Sequence, residues 1–288
     1  MSTWLAGARP RTLPAAVVPV ALGAVVGVGH GGARWWTVPL AMIVSLALQV
    51  GVNYANDYSD GVRGTDEVRV GPMRLVASGA ASPSAVKRAA FAAFGVAAVV
   101  GLVLAAATSW WLLAVGVASM LAGWFYTGGA HPYGYLGLGE VFVFVFFGLV
   151  ATVGTTFVVI EQLPGLSWVL GGVAGSLACA LLVVNNLRDI PTDREVGKRT
   201  LAVRLGDRAT RWLYVALVCV AFGLVVVASS IGVWGALLGL AAIGPAVVPV
   251  RAVQRGATGR DLIAVLGATG KVQLAVGALV TVGIALTA

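Results

Sequence analysis

The feature that most constrains this chain is a series of apolar runs along its whole length, at 13–29, 37–55, 89–107, 111–127, 139–160, 168–187, 212–229, 233–250 and 269–287. Each approaches the roughly 20 residues that a helix needs to cross the hydrocarbon core of a bilayer. Of the 288 residues 59 % are hydrophobic and 10 % charged, so a water-soluble surface cannot be assembled. The runs are apolar all round and rich in Ala, Leu, Val and Gly, whereas the strands of a closed barrel alternate apolar and polar residues. The expected fold is therefore all-α, a polytopic membrane helix bundle of nine transmembrane helices forming a single domain over 1–288. The first run follows Arg9 and Arg11 but has no convincing small-residue cleavage site, and reads as a transmembrane helix rather than a secretory leader.

Threading these spans through a membrane sorts the charges. Arg34 alone among the 19 Lys and Arg residues falls in a connection opposite the N-terminus, so the N-terminal side is expected to be cytoplasmic in a cell membrane. Glu161 is likewise alone among the 11 acids on the far side. The positive-inside rule does not require that second bias, because it is not a rule about acids. The long connections, 56–88 and 188–211, also lie on the N-terminal side, which places the chemistry there. A net charge of +8 is not gathered into a basic domain, so anionic lipid and an anionic substrate are expected partners and nucleic acid is not. Cys179 and Cys219 sit in apolar runs and make neither a disulfide framework nor a metal cluster.

Each long connection begins with an Asn/Asp cluster at the end of a span. The first, NYANDYSDGVRGTD, holds Asn53, Asn56, Asp57 and Asp60 along one helical stripe, with Asp66 after a Gly61 and Gly64 loop that can fold back. The second, NNLRDIPTDREVGKRT, holds Asn185, Asn186, Asp189 and Asp193, with Pro191 able to break the helix between the two aspartates. The clusters lie four helices apart, the pattern expected of an internal pseudo-repeat with a site at the repeat interface. Carboxylates beside hydrocarbon repel one another and lose hydration, and a hard divalent cation relieves both. Mg2+ is usually held by one or two carboxylates together with substrate phosphate oxygens. Asn56, Asp57, Asp60, Asp66, Asp189 and Asp193 are thus candidate metal ligands. Arg63, Arg74, Arg188, Lys198 and Arg199 flank the clusters with the charge that phosphate oxygens require. A lone DxxxD would read as solvated surface charge, but two Asn-led clusters at equivalent span ends favour a diphosphate clamp.

These residues resemble the UbiA superfamily of intramembrane aromatic prenyltransferases, whose members carry NDxxDxxxD and DxxxD motifs on the second and sixth helices. The likeness spans nearly the whole chain, through ARPRTLPAA (8–16), NYANDYSDGVRGTD (53–66), GPMRLVASG (71–79), FYTGGAHPYGYLGLGEVFVFVFFG (125–148) and NNLRDIPTDREVGKRTLAVRLG (185–206), and is similar to the naphthoate-prenylating branch. The resemblance implies transfer of a polyprenyl group from polyprenyl diphosphate to 1,4-dihydroxy-2-naphthoate, with loss of CO2 and diphosphate, in menaquinone biosynthesis. It implies Mg2+ on Asp57, Asp60, Asp189 and Asp193, with Arg63, Arg74, Lys198 and Arg199 sharing the diphosphate charge. Two departures stand out. Asp66 follows Asp60 by six residues instead of four, and His131 occupies a connection where relatives often place Lys or Arg. Gln49, Asn53, Arg9 and Arg11 are placed to meet the acceptor carboxylate, Tyr126 and Tyr133 to reach substrate, and Phe142, Phe144, Phe146 and Phe147 to line a groove for the prenyl tail. An ion-coupled transporter is the competing class, but it calls for acids near the bilayer midplane with access from both sides.

Overall fold

The computed structural model describes residues 3–65, 71 and 73–288; Asp66, an expected metal ligand, lies outside the described residues. Helix accounts for 79 % of the chain, and no strand forms among the described residues. After a one-turn helix, Thr3–Gly7, and a 3-10 turn, Pro10–Thr12, come α1 (Pro14–Val25), α2 (Thr37–Val62), α3 (Pro83–Ala107) and α4 (Trp111–Phe125). A 3-10 turn, Tyr133–Leu136, leads into α5 (Gly139–Ile160), α6 (Gly165–Glu195), α7 (Leu201–Ser230), α8 (Trp234–Gln254) and α9 (Asp261–Thr287).

Among the described residues, seven of these helices are long and apolar enough to cross a bilayer. The other two, α1 and α4, have 12 and 15 residues. At about 1.5 Å per residue they reach roughly 18 and 22 Å, short of a hydrocarbon core of about 30 Å. The expected first span stops early because glycine turns follow it, with Gly29 and Gly32 in the left-handed region at φ 80° and 85°.

Several helices run beyond their apolar runs at the charged end. α2 continues to Val62 rather than 55, and α6 to Glu195 rather than 187. Pro191 does not break α6; the turn around it is buried through Leu187, Asp189 and Ile190, and this packing overrides the lost backbone donor. α3 starts at Pro83 because the Ser82 hydroxyl accepts from Ala85 N at 3.3 Å, and α7 starts at Leu201 because Thr200 Oγ1 accepts from Val203 N at 3.4 Å.

α6 is the axis of the bundle. Its Val173, Leu177 and Val184 join Leu22 of α1, Tyr214 and Val225 of α7, and Val265 and Val276 of α9 in the main core. α5 lies almost backbone to backbone against it, since a Cβ on Gly148 would sit 2.5 Å from Gly175 Cα. Small residues permit that approach in a membrane bundle. At the seam α5 widens to a π-helix over Phe144–Val150, which turns Phe144 onto Gly175 and leaves Phe146 and Phe147 free to face inward. A second core, with Tyr54, Leu75, Val86 and Phe94, packs the 73–79 segment onto α2 and α3.

Candidate active site

A cavity of about 950 Å3 runs between the helices, apolar along most of its length and charged at one end. The charged end is built by one spacing used twice. α2 presents Asn53, Asn56 and Asp60, and α6 presents Asn186, Asp189 and Asp193, each set separated by three and then four residues. That interval keeps three side chains on one face of a helix, and the unbroken turn at Pro191 preserves it on α6. All six residues are buried. Asn186, to which its sequence cluster alone assigns no role, is marked out by this repeat.

The carboxylates are held by specific partners. Tyr135 donates its hydroxyl to Asp60 Oδ1 at 2.6 Å, and Lys198 Nζ lies 3.3 Å from the same oxygen. The ammonium also sits 4.7 Å from the centre of the Tyr135 ring. Burial, and then the Asp60 charge, push the Tyr135 hydroxyl above the usual phenol range, so it remains a donor. Tyr135 was absent from the expected site, because a tyrosine in a Gly-rich connection carries no signal of its partner. On α6, Arg188 grips Asp189 with Nε and Nη2, at 2.7 and 2.8 Å, and also donates to Asn185 Oδ1 at 2.8 Å.

Of the other expected residues, Arg74, Lys198, Tyr126 and Gln49 line the cavity. Gln49 and Asn53 also tie down the N-terminal segment: Gln49 Nε2 donates to Thr12 Oγ1 at 3.1 Å, and Asn53 Nδ2 to Ala8 O at 2.9 Å. This brings Arg9 and Arg11 to the cavity wall, with Arg9 Nη2 donating to Asn53 O at 3.3 Å. Among the described lining residues, the cations Arg9, Arg11, Arg74 and Lys198 outnumber the carboxylates Asp60, Asp189 and Asp193. The cavity is therefore set up for an anion even though aspartates mark it in the sequence.

Among the described residues, four of the expected charged ones, Asp57, Arg63, Arg188 and Arg199, do not line the cavity. Asp57 is fully buried, and its two oxygens accept from Leu75 N at 2.9 Å and Val76 N at 3.0 Å, fixing the backbone beside Arg74. Arg63 donates to the carbonyls of Thr127 and Gly129 and lies 5.4 Å from the Tyr135 ring centre. Arg199 is exposed; its backbone N–H donates to Tyr135 O at 3.0 Å. His131 is exposed and does not line the cavity. Phe142, Phe146 and Phe147 line it, with Phe142 stacked on Tyr133 at 3.9 Å.

Among the described residues no three His, Cys, Asp or Glu side chains are close enough to cage a metal unaided. The donors are hard oxygens on facing walls, which suits an ion completed by substrate phosphate rather than by protein alone.

Over residues 16–286 the sequence matches the UbiA prenyltransferase family. The chain belongs to that family. Among curated UbiA relatives, the 1,4-dihydroxy-2-naphthoate octaprenyltransferase of Mycobacterium tuberculosis is 48 % identical over 94 % of this chain and 92 % of its own length. The enzyme of the same name from Escherichia coli is 38 % identical over 83 % and 81 %. The fold is shared with a UbiA homologue from Archaeoglobus fulgidus bound to GPP and Mg2+, at a TM-score of 0.71 and 14 % identity, covering 98 % of this chain and all of the other. An apo UbiA homologue from Aeropyrum pernix gives the same TM-score at 15 % identity, covering 98 % and 99 %.

Proposed function

We propose that this chain transfers a polyprenyl group from polyprenyl diphosphate to 1,4-dihydroxy-2-naphthoate, releasing diphosphate and CO2; its 48 % identical UbiA relative is named a 1,4-dihydroxy-2-naphthoate octaprenyltransferase. The observation that carries the reading is the polarity of the cavity: a cationic mouth bearing facing carboxylates opens onto an apolar chamber. A diphosphate with a long hydrocarbon tail has that same division.

Asn56, Asp60, Asp189 and Asp193 are the residues that would hold magnesium. When bound, the ion supplies charge neutralisation for the departing diphosphate. Arg74 and Lys198 bind the diphosphate oxygens, and the Asp57 carboxylate keeps Arg74 in place through the Leu75 and Val76 amides. As the allylic C–O bond breaks, its electron pair leaves with the diphosphate, and the apolar walls keep water from the allylic carbon. The ring carbon bearing the acceptor carboxylate forms the new C–C bond. CO2 departs and its bonding pair restores aromaticity, so no protein base has to remove a ring proton. Arg9, fixed against Asn53, is placed to receive the acceptor carboxylate until then.

In the membrane, α1 and α4 would cross as well, giving nine spans in which α2 and α6 are equivalent elements of a pseudo-repeat, with the site facing the cytoplasm. On that orientation, in a background lacking Cys219, Glu195→Cys is labelled by an impermeant thiol reagent only from the cytoplasm and Glu161→Cys only from outside.

The direct test supplies the protein in lipid nanodiscs with a polyprenyl diphosphate, 1,4-dihydroxy-2-naphthoate and Mg2+. Prenylated product, diphosphate and CO2 should appear in equal amounts. Diphosphate without CO2 would exclude the decarboxylating reaction.

A further inference from the structure

Asn186 faces the cavity one helical turn below Asp189, on the side of the apolar chamber. Three residues of helix amount to about 4.5 Å, which places it one turn beneath the proposed magnesium-holding carboxylates, towards the apolar chamber. Its orientation is set from behind. Asn186 Nδ2 donates to Glu140 Oε1 at 3.0 Å. Glu140 opens α5, is buried, and does not line the cavity. Because the amide nitrogen is committed to that carboxyl oxygen, the carbonyl oxygen Oδ1 is turned away from Glu140. Its other carboxyl oxygen, Oε2, is buried with no hydrogen-bond partner, and Cys179 Sγ donates to its backbone oxygen at 3.1 Å. The Tyr126 and Tyr133 rings, 5.5 Å apart, and Phe142 stacked on Tyr133 give this level of the chamber an aromatic wall.

We infer that Asn186 is a specificity residue for the aromatic acceptor, its Oδ1 accepting a hydrogen bond from one ring hydroxyl, and that Glu140 is the positioning residue that turns the amide for this task. The inference rests on the prenyl transfer proposed above and deepens it. A hydroxyl partner in place of Glu140, able to donate or accept, would let the amide flip and present a donor. The buried carboxylate removes that choice, so the site reads a hydroxyl and disfavours a ring that offers only an acceptor at that position.

The test uses Asn186→Ala, Glu140→Gln and the double variant in nanodiscs. Wild-type prenylation of 1,4-dihydroxy-2-naphthoate is measured first, so that failure of the parent reading is visible before any variant. Asn186→Ala should raise KM for this acceptor about 10-fold or more, with KM for the polyprenyl diphosphate unchanged. Used as competitive inhibitors, 1-hydroxy-2-naphthoate and 4-hydroxy-2-naphthoate should separate: one loses affinity for Asn186→Ala, and the other binds variant and wild type alike. Thermal stabilisation by Mg2+ with a geranyl thiolodiphosphate, which needs no turnover, should be retained. Glu140→Gln should raise acceptor KM less, and should add nothing to Asn186→Ala. Equal loss of both inhibitors, a shift in Mg2+ stabilisation or donor KM instead of acceptor KM, or additive effects in the double variant would overturn the assignment.

Discussion

Tyr135→Phe removes one oxygen and leaves the ring, so the contact with Lys198 survives while the 2.6 Å hydrogen bond to Asp60 is lost. A hydrogen bond to a charged partner contributes about 1.5–3 kcal/mol. Asp60 keeps Lys198 at 3.3 Å, which places the expected loss in the lower half of that range. At about 1.36 kcal/mol per factor of ten, kcat/KM for the polyprenyl diphosphate should fall roughly 10- to 40-fold. The loss should appear with a raised Mg2+ requirement, because the carboxylate would settle on Lys198 instead of holding its place on the wall. Product is quantified by chromatography while donor and Mg2+ are varied separately at saturating acceptor. A change of under about threefold with unaltered Mg2+ dependence would show that Tyr135 does not govern Asp60, and the account of the site's preorganisation would fail with it.

Asp57→Asn should destabilise the fold by about 1–3 kcal/mol, since the Leu75 and Val76 N–H groups bind different carboxylate oxygens and the NH2 that replaces one of them cannot accept; thermal unfolding in detergent measures it. Asp193→Asn should abolish turnover without a comparable stability loss, and near-native rates would remove the facing carboxylates from the chemistry. Gly148→Val should force α5 off α6 and lose about 1–3 kcal/mol by overpacking, read as the folded fraction surviving a heat step. Glu161→Gln breaks an ion pair with Arg34 whose acid is 55 % exposed, and should alter stability by under about 1 kcal/mol in the same assay.

Hydropathy carried most of the fold, because a membrane span has to be apolar along its length whatever it packs against. It failed where helices leave the membrane: the last turns of α2 and α6 carry the site, so they are polar and fall outside an apolar window. Pro191 misled for a related reason, since a local preference was outweighed by burial around Leu187 and Ile190. Within the site, spacing identified Asn56, Asp60, Asp189 and Asp193, all of which line the cavity. Spacing did not separate Asp57 from Asp60, because positions three apart on a helix differ by only about 60° and the packing of 73–79 decides which one faces inward. Tyr135 and Glu140 were illegible as site residues, for each acts through a partner distant in sequence.

The shortness of α4 has a consequence for the surroundings. It contributes Leu112, Leu113, Gly116, Val117 and Met120 to the cavity wall, while Trp111 and Leu121 on the same helix are exposed and lie outside that wall. One helix of 15 residues is therefore all that separates the chamber from the lipid along this side. On the nine-span arrangement proposed above, a bilayer meeting it has to thin locally, by an amount that grows with acyl length. The enzyme should then work fastest in short-chain lipid and slow as the membrane thickens, which makes membrane composition a control on quinone prenylation that acts without any ligand.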